Sequence, residues 1–346
     1  MQRMQCLWRC KIVFMKIAIV KLSALGDIVH SMIVLQFIKN CHQKIEVDWI
    51  VEESCKGLLE FNPQVNNVHV LNLKYAKKNK SLSLFIKELK KVKNFGPYDL
   101  VIDMQGIIKS ALITRLIPSI NKIGFDKSSI RESLASNFYS QKYKIDYARN
   151  ILDRNIGIIN FALSLNISYK DILDKKPFLY SNKVYEFKQL SKDKKNILLV
   201  PGASFDSKCY PPEKYAELSK NIEANFLVIW GNERERVLAQ KIKFFAPNIR
   251  IIDKLSLNLL ISLVSNTDLI IGSDTGPTHF AWALNIPSIT LFGPTPGYRN
   301  TFSTPINKFL ESKSVVDPYK INKKDFSIKN IKVNDIVKIA EYLLKL

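Results

Sequence analysis

A polar segment that could bind phosphate follows an apolar stretch in the second half of the sequence. It reads SDTGPTHFAWAL (residues 273–284), and its apolar positions predict a helix that begins at Gly276. Asp274, Thr275 and Gly276 would put small side chains and backbone N–H groups at the helix N-terminus, where the helix dipole favours a phosphate. His279 falls in the first turn. The segment indicates a diphosphate site, and the alternative is that Asp274 or Thr275 only caps the helix.

A second segment with phosphate-binding residue types follows the first strand predicted for this half. PGASFDSKCYPPEKY (residues 201–215) offers the Ser204 hydroxyl and the Lys208 ammonium group. Lys208 by itself would be an ordinary surface residue, but the loop leaves a strand at the edge where α/β sheets bind ligands. Glu233 follows the next strand, where a carboxylate either accepts hydrogen bonds from ribose hydroxyls or favours the start of the following helix.

In the first half, the segment KLSALGDIVHS (residues 21–31) joins a strand to a helix. Gly26 permits a tight turn and Asp27 lies at the helix start. The glycine fingerprint of dinucleotide-binding proteins is absent, and a carboxylate at this place repels a pyrophosphate, so we expect this half to bind the second substrate. Asp27 could act there as a general base on a hydroxyl, or it could serve only as a partner of the helix dipole.

One further segment, residues 74–94, has an unusual charge. It holds eight lysines and one glutamate, with leucine and isoleucine at helical spacing in its second part. This pattern predicts a basic amphipathic helix, which suits contact with anionic lipid or with a phosphorylated acceptor. A solvated helix face is an equally good interpretation.

The predicted elements place these segments on two similar halves. The apolar runs KIAIV, EVDWIV, NVHVLNL and YDLVIDM alternate with helical patterns in the first half, and NILLVPG, NFLVIWG, IRIID, TDLIIGSD and PSITLFGP do so in the second. Strands that are apolar on both faces are typical of parallel sheets covered by helices on both sides. We therefore predict an α/β protein with two doubly wound, Rossmann-like domains that face each other across a cleft.

We expect an N-terminal Rossmann-like domain over residues 15–180 that binds the second substrate, and a C-terminal Rossmann-like domain over residues 190–330 that binds a nucleotide diphosphate. The last segment, residues 331–346, reads as a helix that is able to pack back on the first domain. Residues 1–14 precede the first clean strand and read either as an upstream start or as a loose tail. A length of 346 residues agrees with two domains, since one hydrophobic core seldom serves more than about 300 residues.

Composition limits the class of protein. Hydrophobic residues make up 47% and charged residues 24%, which is typical of a soluble globular protein. A formal net charge of +21 favours anionic partners such as phosphorylated sugars, acidic lipid or nucleic acid, although a lysine-rich genome bias would also raise it. Five scattered cysteines without CxxC spacing argue against a disulfide framework or a zinc site. No apolar run approaches about 18 residues, so we predict a cytoplasmic protein.

Several motifs in order resemble the lipopolysaccharide heptosyltransferase family, glycosyltransferase family 9. They are KLSALGDIVH, WIVEE, DMQGIIKSAL, RESLASNFY and SDTGPTHFAWAL, within residues 15–299. The SALGD loop favours type I over type II members. The resemblance implies a GT-B fold and an inverting, metal-independent transfer of L-glycero-D-manno-heptose from the co-substrate ADP-heptose to the first Kdo of Kdo2-lipid A. The absence of a DxD motif from the sequence agrees with a reaction without metal or other cofactor.

The resemblance also implies roles for individual residues. Asp27 would deprotonate the Kdo hydroxyl, Arg131 would contact the acceptor, and Lys208 would stabilise the departing ADP. Residues implied to bind the donor diphosphate are Ser204, Lys208, Thr275, Gly276 and His279, and those implied to contact nucleoside or heptose hydroxyls are Glu233 and Asp274. The lysine-rich helix would suit peripheral contact with the cytoplasmic face of the inner membrane.

Two alternatives stay open. The first is a type II or later heptosyltransferase of the same family, which would act on a heptose. The second belongs to another class, a basic nucleotide- or RNA-binding protein, but the sequence carries no RNA-binding signature and we expect no nucleic-acid partner. A nicotinamide-dependent oxidoreductase is disfavoured because neither half has the glycine fingerprint.

Overall fold

A computed structural model describes residues 14–41 and 44–346 of the chain. The chain divides into two compact units between Lys175 and Lys176, slightly before the boundary that we expected between residues 180 and 190. Residues 1–13, which include most of the tail segment as well as Cys6 and Cys10, lie outside the described residues.

The first unit is built on a parallel sheet of six strands in the order β3-β2-β1-β4-β5-β6. The strands are β1 (Met15–Val20), β2 (Ile45–Glu52), β3 (Asn67–Leu71), β4 (Tyr98–Asp103), β5 (Ser119–Phe125) and β6 (Gln141–Tyr143). The helices are α1 (Leu25–Met32), α2 (Val34–Cys41), α3 (Leu73–Lys78), α4 (Leu82–Val92), α5 (Ile108–Leu116), α6 (Ile151–Leu163) and α7 (Tyr169–Leu173).

The second unit repeats this plan with a parallel sheet in the order β12-β11-β10-β7-β8-β9. Its strands are β7 (Asn196–Val200), β8 (Asn225–Val228), β9 (Arg250–Ile251), β10 (Leu269–Ser273), β11 (Ser288–Phe292) and β12 (Asn307–Glu311). Its helices are α8 (Pro212–Asn221), α9 (Glu233–Phe245), α10 (Leu257–Ser265), α11 (Gly276–Leu284), α12 (Gly297–Asn300) and α13 (Val333–Leu344).

The central strands are continuous apolar runs because helices cover both faces of each sheet. Every residue of β7, β10 and β11 is buried. The predicted alternation of strands and helices is therefore confirmed in both halves. Sequence patterns did not predict β5, β6 and β12, which have exposed or half-buried polar positions and lie at or next to a sheet edge.

The C-terminal helix packs on the core of the second unit. Val333, Ile336, Ala340 and Leu343 of α13 are buried in the core of the second unit, and the helix contacts α8, β10 and β11. The apolar stripe of α13 is thus used within its own unit, and the expected contact of the helix with the first domain stays a prediction. Across residues 14–41 and 44–346, every helix is too short or too polar to cross a lipid bilayer.

Candidate active site

A buried charge cluster lies directly after β10 in the second unit. Asp274 is 8% exposed, and its Oδ2 accepts hydrogen bonds from Lys208 Nζ at 2.7 Å and from Thr295 Oγ1 at 2.9 Å. Its Oδ1 lies 3.1 Å from His279 Nε2. Burial acts to raise the pKa of Asp274, but the Lys208 charge and the His279 hydrogen bond outweigh it, so the pKa is held well below its usual range. The cluster is therefore a buried carboxylate that forms an ion pair with the Lys208 ammonium group.

Close backbone packing fixes the position of this carboxylate. The Asp274 N–H donates to the Leu291 carbonyl on the neighbouring strand at 3.2 Å. The Thr278 hydroxyl donates to the Ser273 carbonyl at 2.9 Å and so ties the first turn of α11 back to β10. At Gly272 a Cβ atom would come within 2.6 Å of Thr278 Oγ1, so the strand can approach the helix this closely only with glycine there.

The N-terminus of α11 adjoins the cluster and has no side-chain cap. Thr275 occupies the N-cap position, but its side chain makes no capping hydrogen bond. Pro277 lies in the first turn, where its missing N–H costs nothing. Thr275 and Gly276 are half-buried, so this end of the helix is accessible. Uncapped amides and the positive helix end next to Lys208 provide the features that bind a diphosphate.

The loop that carries Lys208 is tied to α9. Arg234 donates a hydrogen bond to the Ala203 carbonyl and forms an ion pair with Asp206 at 3.2 Å. Ser204 lies between these two anchored residues and is exposed, whereas Lys208 is buried. The loop therefore presents the Ser204 hydroxyl to solvent while it delivers the Lys208 ammonium group to Asp274.

Glu233 and Glu235 differ in their surroundings at the start of α9. Glu233 is the first residue of the helix, its side chain is 77% exposed, and it forms an ion pair with Arg236 at 3.3 Å. Glu235 instead accepts from the Gly231 N–H at 2.7 Å and occupies the space next to Gly202, where a Cβ would lie within 2.4 Å of it. Glu235 thus has a structural role, and the predicted contact of Glu233 with ribose stays a prediction.

In the first unit, Asp27 lies in the first turn of α1, directly after the loop that follows β1. Its carboxylate is exposed and accepts a hydrogen bond from the Ala24 N–H at 3.2 Å, so it does serve as a helix cap. Gln105 Oε1 accepts from the backbone N–H groups of Leu22 at 3.1 Å and Ser23 at 3.2 Å. The loop that holds Asp27 is therefore fixed from the neighbouring strand, while the carboxylate remains open to a substrate.

The motif DMQG is anchored by a buried carboxylate. Asp103 accepts hydrogen bonds from the N–H groups of Gln105 at 2.8 Å and Gly106 at 3.1 Å, and from the Tyr139 hydroxyl at 2.7 Å. Burial is the main effect on the pKa of Asp103 and raises it. Tyr139 belongs to RESLASNFY, so the two motifs meet in space. Arg131 in the same motif is exposed and lies 5.6 Å from the Tyr147 ring.

The structure thus brings Lys208, Asp274 and His279 together at the start of α11. It leaves Ser204 and Glu233 exposed. Asp27 and Arg131 belong to the other unit, with Arg131 on a different segment from Asp27. Sequence reasoning missed Thr295. Its position just after β11 could have indicated a place in the site. Strand β11 pairs with β10, and the carboxyl ends of parallel strands lie at the same edge of a sheet.

Comparison with known proteins finds relatives that match almost the whole chain. A protein of Campylobacter coli described as lipopolysaccharide heptosyltransferase 1 is 42% identical over 344 residues, which cover 95% of this chain and 99% of the relative. The solved structure of Escherichia coli heptosyltransferase WaaC with ADP superposes with a TM-score of 0.77 at 22% identity, covering 95% of this chain and 100% of that one. The same enzyme with ADP-2-deoxy-2-fluoro heptose gives a TM-score of 0.75 at 23% identity, with coverages of 95% and 99%.

The family model for glycosyltransferase family 9 (heptosyltransferase) matches residues 85–327. This match spans both units, and the superpositions confirm the α/β, GT-B type of fold. The chain is therefore a glycosyltransferase that belongs to glycosyltransferase family 9, the heptosyltransferases.

Proposed function

We propose that this enzyme transfers L-glycero-D-manno-heptose from ADP-heptose to the first Kdo of Kdo2-lipid A, with inversion and without a metal ion. The observation that carries the donor part is the buried Lys208–Asp274 pair beside the uncapped N-terminus of α11. The donor and the reaction step are supported by the names of the relatives, which include a type I heptosyltransferase and a complex with an ADP-heptose analogue. The acceptor rests on the motif resemblance.

In this proposal the second unit binds the donor. The diphosphate lies against the backbone N–H groups at Thr275 and Gly276, with Ser204 and His279 as further hydrogen-bond donors. Lys208 supplies the positive charge that a metal ion provides in other enzymes. Because Asp274 already holds Lys208, His279 and Thr295, we assign to it the positioning of these groups in addition to any contact with a donor hydroxyl.

The chemical step is a single displacement. Asp27 takes the proton of the Kdo hydroxyl, and the hydroxyl oxygen attacks the anomeric carbon of heptose from the side opposite the diphosphate. The bond between that carbon and the phosphate oxygen breaks, and its electron pair stays on ADP. Lys208 and the helix N-terminus stabilise the charge that develops there. Attack opposite the leaving group inverts the configuration. Arg131 contacts the anionic acceptor.

The proposal places the reaction in the cytoplasm, with the lipid part of the acceptor in the inner membrane. The test is mass-spectrometric detection of product after incubation with ADP-heptose and Kdo2-lipid A in the presence of EDTA. We expect the acceptor to gain the mass of one heptose, and NMR of the product to show an inverted anomeric centre. Activity that EDTA abolishes and magnesium restores would contradict the metal-free step.

The same assay separates the alternatives. An acceptor that already carries one heptose should remain unmodified. If it alone were modified, the enzyme would catalyse a later step of core synthesis. If neither acceptor were modified and the protein bound RNA in a salt-dependent way, the assignment of donor and acceptor would be wrong.

A further inference from the structure

Helix α4 has one face that packs on the first unit and one that faces solvent. Val92 belongs to the hydrophobic core there, and Phe85 and Leu89 pack against that core. The Ser81 side chain caps the helix by accepting from the Leu84 N–H at 3.3 Å. These contacts fix the rotation of the helix about its axis, and so they determine which of its side chains face solvent.

The outer face combines large apolar side chains with lysines. Leu82 and Ile86, on consecutive turns, are 71% and 43% exposed. At 100° per residue, Lys90 and Lys93 share their side of the helix and Lys87 lies farther round the exposed arc; all three lysines are exposed. We call these five residues the α4 surface. A single exposed aliphatic side chain is common, but two on consecutive turns beside three lysines form the pattern of a helix that lies in a membrane interface.

The charge of this surface has little internal compensation. Within the part of the chain that the structure describes, the ion pairs of this region join Lys91 to Glu88, and none involves Lys87, Lys90 or Lys93. The adjoining helix α3 adds the exposed residues Tyr75, Lys77 and Lys78. The surface thus presents lysine charge beside two exposed apolar side chains, which is complementary to an anionic lipid bilayer.

We propose that the α4 surface docks on an anionic lipid membrane, with Leu82 and Ile86 inserted between headgroups and the three lysines beside lipid phosphates. The inference deepens the proposed function, because a lipid-linked acceptor would be presented at such a membrane, and its biological meaning rests on that function. RNA would also be attracted by the lysines. It would gain nothing from exposed aliphatic side chains, since single-stranded nucleic acid stacks on aromatic ones.

The test is co-sedimentation of the full-length protein with vesicles at about 0.15 M salt. One set contains phosphatidylethanolamine and phosphatidylglycerol, and the other contains phosphatidylcholine alone. We expect binding to the anionic set only. Because a lysine near an anionic membrane contributes about fivefold in affinity, the triple variant K87Q/K90Q/K93Q should bind roughly 100-fold more weakly. The variant L82S/I86S, which keeps all charges, should also lose most of its binding.

Two matched controls lie in the second unit. K220Q/K241Q/K338Q removes the same number of charges from exposed positions, and V237S/F244S removes two exposed apolar side chains from one helix. Both should bind vesicles like the unmodified protein. Thermal unfolding and ADP affinity should be unchanged in all four variants, because the substituted side chains are exposed and none belongs to the donor cluster.

Absence of vesicle binding by the unmodified protein would overturn the inference. So would full binding by L82S/I86S, or binding to an RNA oligonucleotide that depends on the same lysines while vesicles are ignored. The experiment uses neither donor nor acceptor. A failure here, with heptose transfer to detergent-dispersed acceptor intact, would therefore refute the docking surface alone, whereas vesicle binding without transfer would refute the proposed function alone.

Discussion

Removal of the Lys208 ammonium group is the perturbation that most directly tests the proposed site. Lys208 is 9% exposed, and its Nζ lies 2.7 Å from Asp274 Oδ2. Lys208→Ala removes a preorganised positive charge from the leaving-group side of the reaction. Loss of one such group typically costs about 2 to 4 kcal/mol of transition-state stabilisation, which corresponds to a fall in kcat of roughly 30- to 1000-fold.

The same change should lower stability. Asp274 would keep His279 and Thr295 but would lose its nearest cation, and breaking a buried ion pair at one end costs about 3 to 5 kcal/mol. We therefore expect Lys208→Ala to unfold at a lower urea concentration. The double variant K208M/D274N removes both charges, so it should recover much of the stability without recovering kcat.

The assay is steady-state heptose transfer at a temperature where each variant is folded, with kcat and KM for ADP-heptose determined separately. Lys220→Ala, which changes an exposed lysine of α8, is the matched control and should retain normal kinetics. An increase in KM with unchanged kcat would show that Lys208 contributes only to ground-state binding. Recovery of kcat in K208M/D274N would show that the loss came from misfolding, and either result would refute the reasoning.

Three further predictions concern single residues. Asp27→Asn keeps an oxygen that can accept from the Ala24 N–H, so the helix cap should persist. Turnover should fall about 100-fold or more, while ADP-heptose affinity measured by calorimetry stays unchanged. Near-normal turnover would show that Asp27 is not the general base. Thr295→Val should lower kcat about tenfold, whereas Thr295→Ser should keep the normal kcat, since only the hydroxyl that is bonded to Asp274 matters. An equal fall in kcat for both variants would indicate a packing role. Burial lowers the pKa of Lys175 from 10.5 to about 7. Between these two pH values the unfolded chain binds a proton that the folded protein does not, so the free energy of unfolding falls as pH decreases from 10.5 to 7. Lys175→Met should remove this pH dependence, so its stability relative to the unmodified protein should change by more than about 1 kcal/mol between pH 7.5 and pH 10.5 in urea unfolding; a constant difference would contradict the shift.

Local pattern was sufficient for the general architecture. The apolar runs that became β1, β7 and β10 are buried on both faces, and such runs need no knowledge of distant residues to be recognised. Turn and cap chemistry likewise located Asp27 and Gly276 at helix starts. Edge and near-edge strands such as β5 and β12 escaped prediction because their polar positions are tolerated only where the sheet faces solvent or covers less core.

The sequence by itself determined which segments follow the carboxyl ends of the strands, since the hydrophobic pattern of each strand and helix depends on residues close together in the chain. Only the tertiary structure decided which of them touch. Lys208 and Thr295 come from the loops after β7 and β11, yet both bond to Asp274 after β10, because β10 pairs with each of those strands. Likewise the stripe of α13 could have packed on several surfaces, and long-range packing selected the sheet of its own unit.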